Sequence, residues 1–508
     1  MRVFAGILSI FAFEAFLSNI NAQDIPGYNM SNYAGVSGVD VQPASIADMR
    51  YKWDITVIGA GIDINNNYIS AKGKYIRNRE VFQKYDGNFQ SKYLDENTGP
   101  SYKEVGVNAY VQLPSIAYSF SKNISVAFTW RLRSLLDIDN LSPELAHLMF
   151  TGLNDQDPEN QKYFNSELKN TNFDISQMSW WEYGFDYAQV IKSEGHHFLK
   201  AGVRLKLEAG LEAAYIYAAH LDYNWKNNDT LSLYNSSFQQ GHTQTLVDDL
   251  NGGFNLGKTL TNVSSVTPAM DIGLVYEWRP DYYAWNNQTK ETLGNERRDV
   301  NKYKLRLGIS VLDLGFISFR KGDNAYDFLA NKTNWDVNAL NFGPNKIHGL
   351  DTIIAHTFGS SNTKNTFLFY LPTTLSFQAD YHIYNDFYIN FTSYSIPHWL
   401  NIASEAHTLS YYTITPRWDQ KWFGVFLPIG INGYGQPVVG LTGRIGPLII
   451  GTSDGLNLLF ANKIYGISAY AALKIPILFK NPFKEGKDNC PKFPVQNADN
   501  DGPANTPQ

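Results

Sequence analysis

The residues able to do chemistry in this 508-residue chain are common enough, but few stand at a working spacing. His220 and His382 fall inside strand-like stretches, and serines are plentiful. A Ser-His-acid site needs a nucleophile, a base within hydrogen-bond reach and an orienting acid. No nucleophile-elbow pattern is present, so a hydrolase is the least favoured reading. Glu208 and Glu212 share a face if their segment is a strand, and would then form a carboxylate pair. Arg204 and Lys206 precede them, however, and a structural charge ladder accounts for all four. His196-His197 follows Gly195 in what reads as a hairpin turn, with no cysteine or acidic residue at ligand spacing. Gly59-Ala60-Gly61 lies in a strand with no following helix, so it is not a phosphate cradle. Its glycines read instead as a bend. The one cysteine, Cys490, excludes an intramolecular disulfide framework.

With catalysis unsupported, the positioning elements become the informative part. The net charge is −6 and the basic residues are scattered, so the basic patch that nucleic acid requires is missing. Aromatics make up 15% of the chain and charged residues only 18%, against roughly 25% charged in ordinary soluble proteins. That balance suits a sheet with aromatic girdles at two lipid interfaces. Residues 1–22 read as a cleaved signal peptide: Arg2 is the basic start, Val3 to Leu17 the apolar stretch, and Ala22 the small residue at the cut. No later apolar run reaches the roughly 18 residues of a membrane helix. An exported chain without such helices is either soluble or a barrel.

Period-two alternation, the strand signature, dominates from 51 to 480. Ile124, Val126, Phe128, Trp130 and Leu132 share one face, while Arg131 and Arg133 fall on the other. Val105 to Leu113 alternates likewise. Further on, Tyr303, Leu305, Leu307, Ile309 and Val311 oppose Lys304, Arg306, Gly308 and Ser310. Such runs match the roughly 9–11 residues of a tilted membrane strand. They predict a polar lumen lined by Arg131, Arg133, Arg204, Lys206, Glu208, Glu212, Lys304 and Arg306, with the apolar face in contact with the lipid bilayer. Short turns at 121–123 and 384–386 alternate with long polar stretches at 72–103, 154–178, 224–268, 280–300 and 321–350, the latter expected to be extracellular loops. At about 30 residues per strand with its connections, the barrel holds on the order of 14 strands. One helix is predicted over 143–151, capped by Ser142 with Pro143 at its first position.

The segments GVSGVDVQPASIADMRYKWDITVIGAG (35–61), WWEYGFDYAQV (180–190), FLKAGVRLKLEAGLEAAYIY (198–217) and DIGLVYEWRP (271–280) occur in an order that resembles one known group. KYKLRLGISVLDLGFISF (302–319), LPTTLSFQADYHIYNDFYIN (371–390) and RIGPLIIGTSDGL (444–456) continue it. Together they resemble the DUF5723 family of FadL-like outer-membrane proteins of Bacteroidota. The resemblance implies an all-β transmembrane antiparallel barrel in the outer membrane of a Gram-negative bacterium. It also implies that residues 23–50 enter the lumen as a hatch, carried by Gln42, Pro43 and Ala44. The family pattern usually has Asn where this chain has Gln42. The implied function is passive transport of small hydrophobic molecules. A non-transporting accessory or scaffold barrel, with a protein partner in an envelope assembly or secretion complex, is the alternative. FadL-like barrels open laterally where strands are interrupted, which draws attention to Pro114, Pro372, Pro428 and Pro447. Of these, Gly446-Pro447 in its apolar setting is the candidate wall kink. The tail 481–508 contains KDNCPKFPVQNADNDG (487–502), which resembles one calcium-binding thrombospondin type 3 repeat. Asp488, Asp499 and Asp501 would supply the oxygens that Ca²⁺ prefers. A disordered Pro/Asn/Asp tail is the simpler reading, and no other cofactor is implied.

Overall fold

The structure is a computed structural model that describes residues 27–78, 92–151, 158, 160–246, 256–281, 298–322, 327–336, 356–359, 365–395 and 406–479. The leader 1–22 and the tail candidates Asp488, Asp499 and Asp501 lie outside the described residues. Twenty strand segments make one continuous sheet that closes on itself as fourteen antiparallel staves, the barrel expected from the alternation and the stave number expected from the length. In chain order they are β1 (Tyr51–Asn66), β2 (Lys103–Gln112 with Ser115–Ser119), β3 (Ile124–Leu141), β4 (Leu168–Glu194) and β5 (His197–Asn227). Next come β6 (Thr230–His242 with Ser265–Trp278), β7 (Leu305–Arg320 with Phe328–Asp336) and β8 (Thr366–Tyr370 with Thr374–Tyr384). The circuit continues through β9 (Phe387–Ser395), β10 (Tyr411–Asp419), β11 (Phe423–Phe426 with Ile429–Asn432) and β12 (Pro437–Val439 with Leu441–Ile445). It ends with β13 (Leu448–Thr452) and β14 (Gly466–Leu478), and β14 pairs with β1 from Tyr51↔Leu478 to Asn65↔Gly466. Pairing of the last stave with the first removes the two outer edges of the sheet, the condition for a sheet to lie in lipid.

Burial along the staves is inverted relative to a soluble protein. On β5, Arg204, Lys206 and Glu208 are 0–1% exposed, whereas the intervening Leu205 and Leu207 are 58% and 46% exposed. Phe185, Ile309, Phe377, Ile414, Ile450 and Ile475 continue that exposed apolar belt around the barrel. Apolar side chains outside and charged ones inside are stable only if the outside is hydrocarbon. No described helix is long and apolar enough to cross a membrane; the crossing is made by strands.

The two rims differ. One carries tight connections at Gly195-His196, Asn385-Asp386 and Gly446-Pro447, together with the start of β1. The other carries the long connections. On that side β4 and β5 run to 27 and 31 residues, far beyond the roughly 9–11 that span a bilayer. The polar stretches 154–178 and 224–268, expected to be loops, therefore contain strand: β4 begins at Leu168, and β6 includes Thr230–His242. Above the membrane neither face of a strand meets lipid, so the apolar alternation fades while the ladder continues. The predicted helix, α1 (Pro143–Thr151), packs there. Leu145 N–H donates to Ser142 Oγ at 3.3 Å, and Leu145 and Leu148 join Phe173, Leu221, Tyr223 and Trp225 in an apolar cap. His147 Nδ1 lies 2.7 Å from Glu96 Oε2 and ties α1 to the strand Leu94–Glu96 outside the barrel wall.

Candidate functional site

Residues 27–50 fold inside the barrel as turns and two short 3-10 helices, Gly35–Gly38 and Pro43–Ile46. Nearly every residue of this plug is buried, and each part is tied to the wall by polar contacts. Ser31 Oγ donates to Asp419 at 2.9 Å, and Val36 N–H donates to Asp54 Oδ2 at 2.7 Å. Lys200 Nζ donates to the Ala47 carbonyl at 3.0 Å, and Arg279 pairs with Asp48 at 3.0 Å. Gln42 takes the extended N-cap position before Pro43, with its Oε1 accepting from Ala44 N–H at 3.3 Å. Its Nε2 lies 3.2 Å from Leu274 O, 3.1 Å from Ile309 O and 3.1 Å from Gln378 Oε1. The wall beneath is glycine for a steric reason. A Cβ on Gly273 would stand 1.8 Å from Gln42 Oε1, and one on Gly202 would stand 2.4 Å from Ala44 N. Gln42, Pro43 and Ala44 thus lie in a cradle only a side-chain-free backbone permits.

Above the plug lies an ionic floor. Glu182 on β4 receives Arg131 at 2.6 Å, Arg133 at 2.9 Å and Arg204 at 2.9 Å. Asp40 of the plug pairs with Arg131 at 2.9 Å and Arg204 at 3.0 Å, which joins floor to hatch. Lys206 lies 2.8 Å from Asp271 and also pairs with Asp313, which receives Arg133 at 3.0 Å. Most of these side chains are fully buried, and such charges are tolerated only when paired.

An apolar cluster rests on that floor: Leu135, Met178, Trp180, Tyr215, Ile317, Phe319, Phe367, Phe369 and Leu371 are buried against one another. The Arg133 guanidinium stacks 4.8 Å from the Trp180 ring, so charge and aromatic meet directly. The wall beside this cluster is discontinuous. The ladder between β6 and β7 runs from Trp278↔Leu305 to Ala269↔Gly315, breaks, and resumes only from Phe328↔Phe238 to Asp336↔Thr230. Within the break, hydroxyls replace backbone donors: Thr267 Oγ1 donates to Phe316 O at 2.7 Å, and Ser265 Oγ donates to Ser318 O. Pro268 sits in this stretch and has no N–H to offer. At the same height β6 is interrupted between His242 and Ser265, and β8 between Tyr370 and Thr374, around Pro372. Exposed Val266, Phe316, Leu368 and Leu375 flank the seam on the outer face.

The predicted lumen charges divide. Arg131, Arg133, Arg204, Lys206, Glu208 and Arg306 are buried on the inner face. Glu212 is not there. A bulge at Leu211 pairs Trp180 with Gly210 but Ser179 with Glu212, so Glu212 falls on the outer side with Ser179. It is buried there beneath the crossing segment whose Leu260 carbonyl accepts from Trp181 Nε1 at 3.0 Å. Lys304 is also corrected. A bend puts Tyr303 inside, against Asp380, and sends Lys304 to the outer rim. There its Nζ donates to Ile383 O at 3.0 Å and covers the Tyr381 ring. Gly446 and Pro447 are no mid-wall kink. They form the two-residue turn between β12 and β13, with Gly446 at φ +55°. Pro114 and Pro428 do fall at stave breaks, in β2 and β11. His196 and His197 turn apart, toward Arg279 O and Tyr276 OH. Sequence reasoning passed over Asp40, Glu182, Asp271 and Asp313. For Glu182 and Asp271 the signal was an acidic residue within an alternating run, as with Glu182 in WWEYGFDY; Asp40 lies in the plug, and Asp313 stands at a bulge with φ +57°, out of step with Arg306, so alternation pointed to neither.

The sequence profile of the family of unknown function DUF5723 matches residues 43–453. No curated protein matches the chain. Among solved structures, the Pseudomonas putida toluene transporter TodX is similar at a TM-score of 0.30 and 8% identity, over 90% of this chain and 98% of that one. A TodX deltaS2S3 mutant, described as a monoaromatic hydrocarbon channel, gives 0.38 and 9%, over 88% and 95%. A Pseudomonas aeruginosa FadL homologue gives 0.28 and 9%, over 89% and 99%. These scores are too low for any activity of those proteins to be carried over.

Proposed function

The chain belongs to the DUF5723 family, whose function is unknown, so its activity has to be read from its own geometry; we propose that it passes small hydrophobic molecules passively across an outer membrane and releases them sideways into lipid. One observation carries this reading. The apolar cluster inside the barrel is closed below by a buried ionic floor and a pinned plug, and its flank is the stretch of wall where the β6–β7 ladder is interrupted. An apolar molecule among these side chains would have to separate buried, paired charges to move down. To move sideways it needs only the seam's few hydroxyl bridges to part, and apolar surface lies beyond. The long-connection rim is the extracellular side in this reading, as is usual for such barrels.

The test locks the seam. Thr267→Cys and Ile317→Cys, placed on facing staves in a Cys490→Ser background, are joined by a short reversible thiol cross-linker. Uptake of a small hydrophobic fluorescent probe is measured in cells with a lipopolysaccharide outer leaflet. Cross-linking is expected to cut the uptake rate tenfold or more, and reduction to restore it. An unchanged rate would remove the seam from the route, and uptake no faster than in cells lacking the protein would end the transport reading.

A further inference from the structure

Next to the apolar cluster, which includes Leu135 and Ala406, the mouth of the barrel is acidic. Asp137 and Asp139 stand two residues apart on β3 and project to one face. His407, on the segment leading into β10, lies between them: its Nδ1 is 3.2 Å from Asp137 Oδ2 and 2.7 Å from Asp139 Oδ2. One donor atom from each of the three residues falls within 4.8 Å of the others. Asp137 adds a separate observation. It is 4% exposed, and its Oδ2 accepts no hydrogen bond. Its one ion-pair partner among the described residues is the same imidazole that Asp139 uses. A buried carboxylate oxygen aimed into a donor cluster without a hydrogen bond is costly unless something else satisfies it.

We propose that Asp137, Asp139 and His407 bind a divalent first-row metal ion of the Zn²⁺ class. One imidazole nitrogen with two carboxylate oxygens is a zinc donor set, whereas Ca²⁺ and Mg²⁺ favour oxygen alone. Zinc bonds of about 2.1 Å in a tetrahedron separate donors by roughly 3.4 Å, close to the 3.2 Å between Asp137 and His407. Both aspartates are held on a paired strand, with Asp137 opposite Gly106 on one side and Ser176 on the other. The histidine's segment is tied to β8 by Ala406 N–H donating to Tyr370 O at 3.2 Å. Three protein ligands leave a fourth position open toward the mouth. A bound ion would fasten the segment around His407 to the far wall, and its affinity would fall with acidification as the imidazole protonates.

The full chain in detergent micelles, stripped with chelator, is titrated with ZnCl₂ near neutral pH. The expected result is one tight ion per chain. Asp137→Asn and His407→Ala should each weaken it by about tenfold or more, with heat-modifiable gel migration unchanged. Cys490→Ser should leave it intact. No stoichiometric zinc, or equal affinity in both site variants, overturns the proposal. So does loss in Cys490→Ser, which would place the ion in the tail, and so does equal displacement by Ca²⁺. Should the variants fail to fold, X-ray absorption on the zinc-loaded wild type decides. Imidazole and oxygen scattering supports the site, and sulfur scattering refutes it.

Discussion

Replacing Glu182 with Gln tests whether the ionic floor holds the barrel together. The Glu182 side chain is fully buried and meets three guanidinium groups at 2.6–2.9 Å, with Lys206 at 3.7 Å. Glutamine keeps the shape but removes the charge and turns an NH₂ toward an arginine. Breaking a buried ion pair from one side costs about 3–5 kcal/mol, because the partner charges stay buried. Here Asp40, Asp271 and Asp313 also contact the same cations and absorb part of the loss, so the lower end applies. About 3 kcal/mol is a fall of roughly two powers of ten in the folded-to-unfolded ratio. The control is Lys192→Gln. Its pair with Glu194 at 3.2 Å is largely exposed, and such pairs contribute about 0–1 kcal/mol. Urea unfolding in micelles, followed by tryptophan fluorescence, should show a clear drop in midpoint for Glu182→Gln and almost none for the control. If both variants unfold with the wild type, the floor is not a stabilising element and the reasoning from buried charge fails.

Gly273→Ala places a methyl group against Gln42 and should dislodge the hatch; protease access to residues 27–50 rises, and undiminished protection would show that the cradle is not tight. Pro447→Ala should leave probe uptake unchanged, because the residue lies in a rim turn rather than in the wall; slowed uptake would contradict that placement. Gly446→Ala should cost about 1 kcal/mol for its left-handed backbone, read as a lowered unfolding midpoint. The His147–Glu96 clamp should depend on pH. The hydrogen bond that His147 donates to Glu96 raises the His147 pKa against the opposing effect of burial. Burial would raise Glu96, but hydrogen bonds from His147 and Tyr68 outweigh it and lower the value. The histidine's contribution is therefore complete below about pH 6.5 and lost as pH rises through its raised value, while the glutamate's is complete above about pH 4.3 and lost as pH falls through its lowered one. Exchange protection of the α1 amides should be greatest between those limits; a flat profile would remove the clamp.

What the sequence by itself determined is the barrel and most of its sidedness. Alternation is a local property of a strand, so Arg204, Lys206 and Glu208 could be set inside, and the stave count estimated, without any contact being known. Local rules failed wherever a ladder slipped. The bulge at Leu211 sends Glu212 outward, and the bend at Lys304 sends that lysine to the rim. Neither leaves a mark in the pattern, because a bulge is set by the partner strand. A proline shows that a ladder donor is missing but not where the chain stands in the wall. Hence Pro447 proved to be a turn, while Pro372 lies beside the seam. Only the closed tertiary structure decided the contacts across the lumen. His407 and Asp139 are 268 residues apart, and Asp40 reaches Arg204 over 164. Their meeting depends on which staves face one another once the barrel is closed, and no short-range periodicity carries that information.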